Sequence, residues 1–214
     1  MSRSTRCSSL WRFDPTETCR LMPLRFTSLM KKKLTRRAEG MLERSLSHFP
    51  ELQGKTITVG LTRKNLGSAS INYRAGSISR LVIRLRVRKL TYQTIGHELT
   101  HLVQGLVHGE RPMRRSLGQP RIPSGEKQCD IWTLARDSLF CDDPPTYLRM
   151  PRVVRECWPD YAEAIRQLCI AAIEKRKHHR LYIRWLESEI RKLSSSKPPT
   201  KAKGQTQLVL PLGD

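Results

Sequence analysis

The chain lacks any apolar run long enough to cross a bilayer, so no membrane-spanning helix is expected. No apolar segment follows the positively charged start Met1–Arg12, so no secretory signal is expected either, and Met22 or Met30 are alternative starts. There is no Cys-x-x-Cys pair among the six cysteines Cys7, Cys19, Cys129, Cys141, Cys157 and Cys169. Their even number is a poor argument for disulfides in a chain of 214 residues without a signal, and they read as reduced thiols of a cytoplasmic protein. Cys129 and Cys169 are expected on packed helix faces. Acidic residues are scarce, 19 Asp and Glu against 40 Lys and Arg, for a formal net charge of +21. A chain this poor in carboxylates needs an anionic partner, and phosphate backbones are the commonest one. Internal repeats are absent.

What remains is enough for one core-bearing domain with extensions, 38% of residues being hydrophobic. Residues 1–27 have no sustained periodicity and read as irregular. Residues 28–193 read as the folded domain, of class α+β. Residues 194–214 read as a disordered basic linker ending in an apolar docking peptide. Within the domain, Leu29, Leu34, Ala38, Met41, Leu42 and Leu46 recur at helical spacing and predict one amphipathic helix over 28–48. Short strands are expected at 56–61 and 69–74, with a turn at 75–77. The stretch 78–87 is the clearest strand, with Leu81, Ile83, Leu85 and Val87 on one face and Arg80, Arg84, Arg86 and Arg88 mainly on the other. Thr91 can cap a helix that runs to about Val107 and buries Ile95, Leu99, Leu102, Val103 and Leu106. A Gly/Pro-rich loop over 109–125 leads to a helix from about Gly125 to Phe140. After the breaker Asp142-Asp143-Pro144-Pro145, one long helix is expected over 159–193.

The chemistry is concentrated in His97-Glu98-Leu99-Thr100-His101. Four residues apart on a helix, the two imidazoles project from one face and can chelate one Zn2+ ion, leaving positions for a third ligand and a water. Glu98 is then placed to take the proton of that water as general base. The uncharged surroundings, from Thr94 to Val103, suit a buried active-site helix. For the third ligand, Glu126 and Asp130 share a helix face, one to bind the metal and the other to accept the far N–H of a zinc histidine. Glu126 reads as the ligand and Asp130 as its supporting partner. His108 is the competitor, but on a continuous helix it stands about two turns from His101, too far to share one ion unless the chain bends back.

With Glu126-Lys-Gln-Cys-Asp130 following it, the motif resembles the gluzincin metallopeptidases, whose pattern is His-Glu-x-x-His with a downstream Glu-x-x-x-Asp. The order of strands, active helix and glutamate helix is most similar to the minigluzincin and SprT-like proteins, over roughly residues 55–150. The resemblance implies a compact zincin-like domain with a small sheet on the active-site helix. Its edge strand, here expected at 78–88, would line the cleft and pair with an extended peptide. SprT-like proteins usually use a histidine as third ligand, so Glu126 places the chain nearer the minigluzincins. Gluzincins often add a later His or Tyr that steadies the reaction's tetrahedral intermediate, and Tyr147 is the candidate here.

Three basic stripes point to non-sequence-specific DNA contact: Lys31, Lys32 and Lys33 with Arg36 and Arg37; Arg84, Arg86 and Arg88 of the long strand; and Lys175, Arg176 and Lys177 in the run to Arg180. The tail Gln207-Leu208-Val209-Leu210-Pro211-Leu212 resembles the peptide by which bacterial proteins dock on the DNA polymerase sliding clamp. Gln207, Leu208, Leu210 and Leu212 would be its anchors. The same peptide could instead add a strand to its own domain or plug its own cleft. The expected activity is therefore a zinc endopeptidase acting on DNA-associated proteins. The alternatives are a metallopeptidase with no nucleic-acid role, inhibited by its tail, and a non-catalytic nucleic-acid-binding protein with structural zinc.

Overall fold

The computed structural model describes residues 24–75, 77–109 and 122–193, without the side chains of 107–109. The tail peptide 207–212, the linker 194–206 and most of the N-terminal extension lie outside the described residues. The described part is α+β. Four strands form one mixed sheet: β1 (Leu24–Phe26), β2 (Ile57–Leu61), β3 (Gly67–Arg74) and β4 (Ser77–Leu85), in the order β1-β2-β4-β3. β1 and β2 run parallel, as do β2 and β4, while β3 pairs antiparallel with β4. β1 falls inside the stretch expected to be irregular, because three residues are too few to show a period.

The long strand is the centre of the sheet and not its edge. Leu81, Val82 and Ile83 are all buried, as suits an interior strand. Its two backbone edges are taken by β2 and β3. β3 reaches the outside because residues 62–66 cross over the end of β4, pinned by Thr62 N–H to Leu85 O (3.2 Å) and Arg86 N–H to Leu66 O (2.9 Å). β4 itself ends at Leu85, and Val87–Lys89 form a 3-10 turn, so Arg86 and Arg88 leave the row of Arg80 and Arg84.

Two expected helices are broken. The first is α1 (Ser28–Lys31) and α2 (Arg36–Ser47), with Thr27 and Thr35 each capping one by accepting a backbone N–H. The break turns Met30 into the core and leaves Leu29 66% exposed. The last is α6 (Trp158–Lys175) and α7 (Tyr182–Leu193), which pack on one another. The basic run 175–180 therefore ends α6 and forms the turn, where like charges separate and reach water. Lys177 there pairs with Glu174, and Lys175 lies 4.8 Å over the Trp185 ring. Between them come α3 (Tyr92–Gly109), α4 (Glu126–Arg136) and the short α5 (Arg152–Glu156); after α4 a separate 3-10 turn, Ser138–Cys141, replaces the expected continuation to Phe140.

α3 begins as its sequence suggests. Thr91 Oγ1 accepts from Thr94 N–H, and Asp142 accepts from the N–H groups of Tyr92 (2.7 Å) and Gln93 (2.8 Å). A carboxylate on free N–H groups also suits the positive end of the helix dipole. Ile95, Leu99, Leu102, Val103 and Leu106 are all buried, as expected. Cys129 and Cys169 are buried free thiols on α4 and α6.

Two glycines let α3 come close to its neighbours. A Cβ on Gly105 would strike Ile71 of β3, and one on Gly96 would lie 2.6 Å from Phe140 and 2.7 Å from Thr133. Gly96→Ala is therefore expected to lower stability by about 1–3 kcal/mol through overpacking. Thermal unfolding checks it; an unchanged midpoint would mean this approach does not depend on the bare Cα.

Candidate functional site

The C-terminal end of β4, the start of β3 and the crossing segment 62–66 meet beside α3, and α4 closes the other side. Between them lies an open cleft of about 740 Å³, lined by Leu66 to Ile71 along β3 and by His97, Glu98, His101, Glu126 and Tyr147. The structure thus brings His97, Glu98, His101, Glu126, Asp130 and Tyr147 together. Lys31, Lys32, Lys33 and the 175–177 run are not in the lining. The side chain of His108 lies outside the described residues.

The ring centroids of His97 and His101 are 4.8 Å apart, and each Nε2 lies 3.0 Å from the same Glu126 Oε2. That spacing is close to the roughly 3.3 Å between ligand atoms of a tetrahedral ion with bonds near 2.0 Å. The far nitrogens are also engaged. His97 Nδ1 lies 2.8 Å from Asp130 Oδ1, and His101 Nδ1 lies 3.0 Å from Gln104 Oε1. The Gln104 amide nitrogen donates to Pro123 O and Gly125 O, so its oxygen must face His101. Both histidines then donate from Nδ1, which puts the lone pairs of both neutral rings at Nε2. Two lone pairs facing one carboxylate oxygen repel unless protons or a cation sit among them. These three residues fit a small divalent ion.

The electrostatics agree. His97 is pushed above its ordinary value: burial opposes its charge, but the Asp130 hydrogen bond and charge outweigh it, with help from Glu98 and Glu126. Glu126 is about half exposed, and its hydrogen bonds to His101 and His97 overcome a desolvation penalty and draw it below its ordinary value. Glu98 moves the other way. Burial pushes it up to about 7, against the pull of His97 and with a smaller push from Glu126.

Asp130 is fully buried and each of its oxygens is used. Oδ1 accepts from His97 and from Gln93 Nε2 (3.3 Å); Oδ2 accepts from the backbone N–H of Tyr147 (2.6 Å) and Leu148 (2.9 Å). The same carboxylate therefore orients the histidine and the loop that brings Tyr147 over it. The Tyr147 ring stacks on His97 at 5.5 Å, and burial with the nearby carboxylates raises its hydroxyl above the usual range, keeping it a donor.

A second donor set shares these histidines: the ligand atoms of His97, His101 and Cys129 all lie within 4.8 Å of one another. Glu126 is the better third ligand, because its oxygen is already 3.0 Å from both nitrogens. Burial and the surrounding carboxylates hold the Cys129 thiol far above its ordinary pKa, hence neutral. Comparison with family models, with curated proteins and with solved structures gave no match, so the site is interpreted from its own geometry.

Sequence reasoning missed Gln104, Gln93 and Gly67. Gln104 stands three residues after His101, on its face of the helix, and that spacing is a signal for a supporting partner. Gly67 has no such signal. A Cβ there would fall 2.8 Å from Glu98 Cδ, so the bare Cα of the edge strand is what gives the carboxylate its position.

In chelator-treated protein, His97 and Glu98 both bind protons more tightly when folded. Their contribution to stability is then full in acid and falls as pH rises toward and through about 7, where Glu98 loses its proton. Asp130→Asn removes the main cause of the His97 shift and should flatten this fall. Thermal midpoints across pH check both; a midpoint that rises through neutrality would contradict the proton assignment.

Proposed function

We propose that the protein is a zinc-dependent endopeptidase of gluzincin type, with a zincin-like domain in which His97, His101 and Glu126 bind the metal. The observation that carries this is the convergence of two Nε2 atoms on Glu126 Oε2 inside an open cleft, with Glu98 beside them. A zinc ion there would supply a Lewis acid and lower the pKa of a water in the fourth position.

The chain's own residues supply the rest. Glu98 accepts the proton of the attacking water on a carboxylate oxygen, and a dication nearby favours the charged form that this requires. As the water oxygen bonds to the carbonyl carbon and the C–N bond breaks, the proton passes from Glu98 to the departing nitrogen. The Tyr147 hydroxyl is a donor for the negative charge that develops on the carbonyl oxygen. An extended peptide is aligned by the outer edge of β3, which has no further strand partner among the described residues, in place of the strand 78–88 first expected, with main-chain hydrogen bonds that need no particular side chain.

The charge of +21 supports proteins bound to DNA as the substrates. On this reading, the tail peptide Gln207–Leu212 tethers the enzyme to a bacterial sliding clamp. One observation favours a second reading: with Cys129 as a fourth ligand, the site would be a closed structural zinc site with no position for water.

Metal analysis and peptide cleavage on three variants separate the two. Glu98→Gln should keep its zinc and lose activity by about 10²–10⁴-fold. Cys129→Ala should keep both zinc and activity, whereas Glu126→Gln should lose zinc. Zinc lost from Cys129→Ala but retained by Glu126→Gln would sink the peptidase reading.

A further inference from the structure

Strand register divides the sheet into two unlike faces. Leu24, Phe26, Ile57, Val59, Leu81, Ile83, Leu85, Ala69 and Ile71 point to the helices, where α3 packs against Ile71 through Gly105. The opposite face carries Arg25, Thr58, Arg80, Arg84, Ser68, Ser70 and Asn72 around the buried Val82. Arg25, Asn72, Arg80 and Arg84 are exposed, and the two serines and Thr58 are partly so. This face has no carboxylate of its own, and among the described residues none of its three arginines has an ion-pair partner. At the Arg80 end of the sheet, Lys55, Thr56, Ile78, Ser79, Arg80 and Leu81 line a shallow groove of about 220 Å³.

We infer that this outer face is the surface that binds a nucleic-acid duplex through its phosphates. Guanidinium groups, hydroxyls and an amide are the groups that contact phosphate oxygens, and they hold a backbone without reading bases. Arg80 and Arg84 stand about 13 Å apart along β4, and Arg25, two strands across in register with Val82, lies midway between them at about 12 Å from each. One phosphate cannot engage all three at that spacing, so the fitting ligand is a repeating polyanion and not a nucleotide. Aromatic side chains are missing from the face: Tyr73 turns to the helix side, its hydroxyl on Gly105 O at 3.0 Å. Single strands are held largely by stacking on aromatics, so a duplex is preferred. Against Lys31, Lys32 and Lys33, which follow one another along a short helix and its end, this face offers charges from two strands in a fixed array.

The consequence for catalysis rests on the peptidase reading; the binding does not. β3 borders both surfaces: Ser68 and Ser70 belong to the outer face by register, and the whole run Gly67–Ile71 lines the cleft. The outer face therefore comes within about one strand width, roughly 5 Å, of the cleft's rim.

The test is fluorescence anisotropy of the full chain with a labelled short duplex, a labelled single strand of the same length, and phosphatidylserine vesicles, at several salt concentrations. The triple change Arg25→Gln, Arg80→Gln, Arg84→Gln should weaken duplex binding at least tenfold at low salt. It should also flatten the dependence of log K on log salt by roughly 3, about 0.9 for each phosphate that is no longer neutralised. Lys31→Gln, Lys32→Gln, Lys33→Gln removes the same charge and should cost much less. Lysine at all three arginine positions should retain most binding, which excludes misfolding as the cause of the loss. Equal losses in the two glutamine triples would overturn the inference, as would tighter binding to the single strand or to the vesicles. The arginine-to-glutamine triple should cleave a free unstructured peptide at the unaltered rate. A chain that binds duplex as predicted but cleaves nothing supports this surface and removes only the peptidase reading.

Discussion

The site is organised around one buried carboxylate. Asp130 has no exposed surface, and an ionised group in that position costs several kcal/mol unless it is fully hydrogen-bonded. It meets that condition by drawing donors from two places: His97 and Gln93 on α3, and the Tyr147 and Leu148 backbone beyond the double-proline breaker. Neither of these segments can shift without leaving a charge or a backbone N–H unpaired. The ring orientation of His97 and the stacking of Tyr147 are thus two results of one constraint. His101 has a neutral counterpart in Gln104, whose amide is itself fixed by the carbonyls of Pro123 and Gly125, immediately before Glu126. Each histidine is thereby tied to the element that carries the third donor.

The local chemistry was legible in the sequence because helices bring residues together at fixed intervals. His97 with His101 and Glu126 with Asp130 are both four apart, and the structure turns both pairs toward one point. What could not be read was anything set by strand order. The alternation in β4 resembles a one-sided strand, but alternation records only which faces are wet. It does not tell which backbone edges are paired. The crossing at 62–66 displaced β4 from the edge and gave β3, a weaker pattern of Ser, Ala, Ile and Asn, the position beside the cleft. Gly67 escaped for the same reason, since its contact with Glu98 exists only once β3 is outermost.

Helix breaks were the other gap. Periodicity carried through 28–48 and through 159–193 because apolar spacing survives a short interruption when both halves pack on the same core. Thr35 was the local sign of the first break, since a threonine whose side chain accepts the Ala38 N–H starts a helix. At the second, six successive basic or imidazole side chains favour a turn in which each reaches water.

The three donor atoms also explain why protons and a bound dication would compete for the site. Lone pairs on two imidazoles, each held 3.0 Å from one carboxylate oxygen by Asp130, Gln104 and the start of α4, cannot relax away from it without breaking those supports. Below neutrality, protons on His97 and Glu98 relieve the repulsion. A dication relieves it better, because one charge centre meets all three lone pairs at once and returns Glu98 to its ionised form. A bound ion would therefore release unfavourable electrostatics held by the framework, and its affinity would increase as protons leave. The same rigidity restricts the choice of ion: donors locked this close together suit bonds near 2 Å, and they exclude large cations that need six or more oxygens at longer range.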